Sequence, residues 1–137
     1  MSAAPFISVR QLLASPLSPL GRLVAAGRHR AASAGAATGR VRQIHRIADG
    51  EDLQPGEILV AVTTDPSWTP LFMIAGGIVL EQGGPLSHAA IVARELELPA
   101  VLNVPDAMRR LPNGTAIEVD GTNGVIRTVA EREVVAA

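Results

Sequence analysis

One histidine in this chain stands where residue types and spacing could do group-transfer chemistry. His88 follows Gly83-Gly84-Pro85-Leu86-Ser87 and begins the run Ala89-Ala90-Ile91-Val92-Ala93-Arg94-Glu95-Leu96. Gly83 and Gly84 remove side chains, so the backbone there can come close to a ligand, and Pro85 stiffens the turn. Ser87 is the expected helix N-cap, its hydroxyl accepting from an amide of the first turn. Ala89, Val92, Ala93 and Leu96 recur at i, i+3, i+4 and i+7, the spacing of one buried helical face. Arg94, Glu95 and Glu97 take the wetter side, and Pro99 stops the helix. A helix N-terminus offers unpaired amides and a positive dipole end to an anion. The anion that best suits a nucleophilic imidazole is a phosphoryl group. The candidate site is therefore His88 as phosphoryl acceptor, with Gly83, Gly84 and Ser87 binding the phosphate. Arg94 lies about 240° around the helix from His88. It is expected to make an ion pair or meet a docking partner rather than touch the phosphate.

Other chemistries fit poorly. A lone histidine at a helix start is ordinarily structural, so its surroundings must carry the reading. Ser87 and His88 are adjacent, which is the wrong geometry for a serine–histidine dyad, and no third group is in view. No metal site is expected: the chain has no cysteine, and His29 and His45, the other histidines, lie among arginines. No GxxxxGK[ST] loop occurs, and the chain contains no lysine.

The elements that must hold this turn can be traced from pattern. Val41 to Ile47, Glu57 to Val62, Gly77 to Leu80 and Ala100 to Val104 read as strands. Thr115 to Val119 and Val125 to Val129 read as a hairpin around Asp120-Gly121-Thr122-Asn123-Gly124. Asp65 is expected to cap a short helix with Pro66 at its first position, and Trp68, Leu71 and Phe72 to face the core from it. Pro105-Asp106-Ala107 opens another short helix. The strand Gly77 to Leu80 aims at the His88 turn, and strand C-termini are a common place for ligands in α/β proteins.

Gly83-Gly84-Pro85-Leu86-Ser87-His88-Ala89-Ala90-Ile91-Val92-Ala93-Arg94 resembles the phosphohistidine signature of the phosphoenolpyruvate-utilising enzymes. Thr64-Asp65-Pro66-Ser67-Trp68-Thr69-Pro70-Leu71-Phe72 is similar to a segment of the rifampin phosphotransferase and phosphoenolpyruvate synthase branch. Leu98-Pro99-Ala100-Val101 and Val119-Asp120-Gly121-Thr122-Asn123-Gly124-Val125-Ile126 resemble the same domain's later strands, so the likeness runs from about Gly35 to Val129. It implies an α/β fold, a swivelling β/β/α domain whose histidine, here His88, carries phosphate between two distant active sites. It further implies a phosphotransferase component incomplete on its own. ATP and Mg2+ would be bound by an ATP-grasp partner, and pyruvate, phosphoenolpyruvate or another acceptor by a substrate-binding partner, as separate domains or in trans. This chain itself is expected to bind no cofactor. Three positions depart from the signature. Leu86 stands where many relatives carry Thr, and Glu97 and Asn103 stand where Gly is usual. Asn tolerates left-handed angles; Glu97 is strained if its φ is positive.

At 137 residues the length fits one domain. The expected division is a flexible Arg-rich arm or linker (1–34), the swivelling domain (35–130) and a C-terminal tail (131–137). Hydrophobic residues make up 47% but aromatics 2%, so Ala, Val, Leu and Ile must fill the core. The net charge of −1 hides an asymmetry: residues 1–46 hold seven arginines and no acid, while residues 47–137 hold five arginines and thirteen acids. An arm of that kind could grip an acidic partner or nucleic acid, or serve as a transit peptide. The linker reading is preferred, and no nucleic-acid partner is expected. No apolar run reaches the roughly 20 residues of a membrane helix, and no signal peptide is evident, so a cytoplasmic location is expected. The alternative function is a non-catalytic interaction module that keeps the fold.

Overall fold

Alternation in two short apolar strands sets the whole architecture. A computed structural model of the chain describes residues 21–134. Its strands are β1 (Leu23–Ala25), β2 (Ala31–Ser33), β3 (Ala36–Gln43), β4 (Ile58–Ala61), β5 (Gly77–Leu80), β6 (Ala100–Val101), β7 (Ala116–Asp120) and β8 (Val125–Thr128). Its helices are α1 (Thr69–Phe72), α2 (His88–Glu95) and α3 (Ala107–Arg110). Every residue of β4 and β5 is buried, as expected of strands covered on both faces. Leu59, Ala61, Ile78 and Leu80 turn to one side, where they meet Trp68, Leu71 and Phe72 of the α1 region and Ala89, Ala90 and Ala93 of α2. Ile58, Val60 and Val79 turn to the other, where they meet Ile117 and Val119 of β7 and Ile126 of β8.

The strand order is β1-β8-β7-β3-β4-β5-β6-β2. β3, β4, β5 and β6 are parallel, and β2 adds antiparallel to β6. β3 belongs to both halves of the sheet. Ala36 to Arg40 pair antiparallel with β7, and Val41 to Gln43 pair parallel with β4. The antiparallel half thus covers the parallel one, giving α1 and α2 on one face and the strands, joined by α3, on the other. This is the expected β/β/α arrangement.

Close backbone approach fixes the β7–β8 tip. A Cβ at Gly121 would lie 1.8 Å from the Ser33 carbonyl oxygen and 2.8 Å from the Ala100 amide nitrogen, so only glycine fits. Asp120 organises the same turn. Its Oδ1 accepts from the amides of Thr122 and Asn123 at 3.0 Å, and its Oδ2 from the Asn123 side chain at 2.9 Å.

Several elements differ from the sequence expectation. Residues 23–25 and 31–33 lie in strands paired with β8 and β6, so the sheet starts inside the segment assigned to the arm. Residues 1–20 of the arm and 135–137 of the tail lie outside the described residues. β3 begins and ends earlier than Val41 to Ile47, because the pairing with β7 starts at Ala36 and a 3-10 turn occupies Ile47–Asp52. β6 is shorter than Ala100 to Val104. On α2 the buried residues are Ala89, Ala90 and Ala93, while Leu96 is exposed. The helix lies against β2, where Arg94 reaches the Ala32 carbonyl, and small side chains suit so close an approach.

Candidate functional site

The site forms where the chain leaves the parallel strands. Beyond β4 and β5 the two strands stay in register for two more bonds, Glu81 N–H to Ala61 O and Gln82 N–H to Val62 O, both 3.0 Å. Gly83 then takes φ +133°, and a Cβ there would lie 3.1 Å from Leu102 Cδ1, so the turn needs glycine for conformation and for contact. Gly84 acts through its carbonyl, which accepts the Ser87 amide at 3.0 Å and the Ser87 hydroxyl at 2.7 Å. A Cβ at Gly84 would meet nothing within 4 Å.

Ser87 caps α2 as expected. Its φ and ψ are extended, and its Oγ accepts from the Ala90 amide at 3.3 Å. The Ser87 carbonyl takes the Ile91 amide at 3.1 Å. The hydroxyl proton of Ser87 is engaged by Gly84, so its cap oxygen organises the turn. His88 is the first residue of the helix and is exposed. The amides of His88 and Ala89 find no acceptor among the described residues, which leaves donors at the positive helix end beside the imidazole. Leu86, two residues before His88, and Ile91, three after it, are exposed apolar side chains, 87% and 46%.

Arg94 pairs with no carboxylate among the described residues. Its Nε donates to the Ala32 carbonyl at 2.8 Å, tying α2 to β2. Glu97 and Asn103 both take positive φ, 54° and 60°, so each occupies the conformation in which glycine is at ease. The side chain of Glu81 caps α3 by accepting from the Met108 amide at 3.0 Å. Among the described residues, no three His, Cys, Asp or Glu side chains gather as a metal site.

The loop after β4 contributes residues whose place at the site the sequence did not show. Asp65 caps the 3-10 turn Pro66–Trp68, accepting the Ser67 amide at 2.8 Å and the Ser67 hydroxyl at 2.5 Å. These bonds hold its carboxyl below the usual aspartate range, and the charge of the nearby His88 ring adds to that effect. Among the described residues, Thr64 Oγ1 is buried without a partner, and so is Arg30 Nε. Arg30 precedes β2, its carbonyl accepts the Leu102 amide at 2.8 Å, and its guanidinium donates to the Asn103 carbonyl. Both buried atoms therefore belong to the strand-end edge that carries His88. A buried polar atom without a partner is uncommon in a native fold. Among the described residues no helix is long and apolar enough to cross a membrane.

Comparison with known proteins agrees with this geometry. The profile of the PEP-utilising enzyme mobile domain matches residues 53–124. A rifampicin phosphotransferase of Streptomyces sviceus is 47% identical over 98 residues, covering 72% of this chain and 11% of that protein. A phosphoenolpyruvate synthase of Aeropyrum pernix is 43% identical over 96 residues, covering 69% and 12%. The chain thus spans about a tenth of the length of these curated relatives. An NMR solution structure of Enzyme I superposes with a TM-score of 0.53 at 28% identity, covering 63% of this chain and 36% of that one. The β/β/α layering, the glycine turn capped by Ser87 and the matched profile lead to one conclusion: the chain belongs to the mobile-domain family of the PEP-utilising enzymes.

Proposed function

We propose that this chain is a phosphohistidine carrier. His88 accepts a phosphoryl group that comes from ATP or phosphoenolpyruvate and hands it to an acceptor held elsewhere. The observation that carries the reading is the exposed imidazole at the first position of α2, beside the unpaired amides of His88 and Ala89. A neutral ring nitrogen attacks phosphorus and the bond to the donor's leaving group breaks. The free amides and the positive helix end then stabilise the phosphoryl oxygens.

The remaining parts lie on other domains. ATP with Mg2+ belongs on an ATP-grasp domain and the final substrate on another, either in the same protein or in trans. The exposed Leu86 and Ile91, close to His88 in sequence, suit transient burial against those domains, since docked apolar surface excludes water from a transfer.

The test is phosphorylation of purified wild type and His88→Ala in lysate of the source organism, with labelled ATP or labelled phosphoenolpyruvate in separate tubes. The expected result is an acid-labile, alkali-stable label on wild type alone, and the donor that supplies it is thereby identified. Absence of label with either donor, in a lysate where a control carrier labels, would favour a binding module that keeps only the fold.

A further inference from the structure

A hollow of about 300 Å³ opens beside β1, the strand at one end of the sheet order. Arg22, Leu23, Val24, Arg110 and Thr128 line it. Backbone bonds fix its shape. The Arg22 amide donates to Thr128 Oγ1 at 3.0 Å, and the Thr128 amide returns a bond to the Arg22 carbonyl at 2.8 Å. Gly21, at φ +86°, lets the chain enter this corner, because a Cβ there would lie 1.6 Å from the Thr128 carbonyl oxygen. Arg110, at the end of α3, donates to the Val24 carbonyl and, at 3.5 Å, to the Pro105 carbonyl. Its guanidinium is thus held against the wall of the hollow.

Charge sets this place apart. Arg40, Arg42, Arg46, Arg109 and Arg127 each pair with a carboxylate. Arg22 and Arg110 pair with none among the described residues, and both are exposed. The Arg22 guanidinium makes no hydrogen bond among the described residues, and the Thr128 hydroxyl accepts from Arg22 but donates to none of them. Two cations, a free hydroxyl proton and the half-buried Leu23 and Val24 therefore share one hollow.

We propose that this hollow binds a small phosphate monoester. Two arginines answer a dianion better than a carboxylate monoanion, and the planar guanidinium fork matches phosphate oxygens. The Thr128 hydroxyl adds a neutral donor. Leu23 and Val24 offer apolar surface to the organic group, which inorganic phosphate would leave unused. The volume is at the lower end for small-molecule sites. Arg110, already held by two carbonyls, loses little freedom on binding. The hollow shares no residue with the His88 turn, so the proposal stands apart from the carrier reading.

Amide 15N NMR of the full chain tests it, with phenyl phosphate, inorganic phosphate and hexaglutamate as probes. Phenyl phosphate should move the Arg22, Leu23, Val24 and Thr128 amides saturably, and at lower concentration than inorganic phosphate does. Arg22→Gln should weaken that binding about fivefold, the upper range for loss of one exposed charge pair. Its melting temperature should match wild type, because the side chain makes no bond in the described fold. Arg110→Lys keeps the charge, loses the fork and should also bind more weakly. His88→Ala should leave the titration unchanged. Phenyl phosphate that leaves these amides in place, or that binds Arg22→Gln as it binds wild type, would overturn the proposal. So would a response that vanishes in His88→Ala, which would put the phosphate at the helix end. Inorganic phosphate binding as tightly as phenyl phosphate would refute the ester, and hexaglutamate binding more tightly than either would replace the small ligand with an acidic partner surface.

Discussion

The two coverings of the central sheet differ in how completely their polar groups are answered. On the antiparallel side Arg127 pairs with Glu118 across β8 and β7 at 2.8 Å. Asp120 fills its turn with three hydrogen bonds. At the strand-end edge under α2, Thr64 Oγ1 and Arg30 Nε are buried without partners among the described residues, the His88 ring has no hydrogen-bond partner among them, and Asn103 holds a positive φ. Such edges are where folds keep donors free and strain in place for use. The antiparallel layer holds the domain together, and the histidine edge is left available.

Breaking the antiparallel layer should have the largest effect. Gly121→Val puts a side chain onto the Ser33 carbonyl and the Ala100 amide, for which there is no room. We expect a loss of roughly 3–5 kcal/mol in urea unfolding, the size reserved for overpacked cores. A loss below about 1 kcal/mol would show that the tip is not wedged there. Ser87→Ala acts on the other edge and should cost about 1 kcal/mol through the lost cap. It also releases the Gly84 carbonyl from the Ser87 hydroxyl, so labelling of His88 should fall more than stability does. Equal falls would mean that the turn serves the fold alone. The smallest effect is a gain. Glu97 sits at φ 54°, and Glu97→Gly should stabilise by about 0.5 kcal/mol, since relief of the left-handed strain outweighs the entropy cost of glycine. A neutral or negative result would show that Glu97 earns its place by contacts.

This contrast also separates what could be read from the sequence. β4 and β5 were legible because Ile58–Ala61 and Gly77–Leu80 are unbroken apolar runs, each beginning shortly after a glycine, Gly56 or Gly76. The caps at Asp65 and Ser87 were legible because capping is local chemistry. β1 and β2 were hidden: each is three residues long in a stretch rich in Arg, Ala and Gly, and it becomes a strand only by pairing with β8 and β6. With β2 unseen, the narrow alanine stripe of α2 and the bond from Arg94 to Ala32 could not be foreseen.

The most direct measurement of the central claim is neutral-pH mass spectrometry of the full chain after incubation with ATP or phosphoenolpyruvate in lysate, resolving which histidine carries phosphate. The carrier account predicts phosphate on His88, none on His29 or His45, and none anywhere in His88→Ala. Phosphate on another residue, or on the His88→Ala chain at the wild-type level, would contradict it.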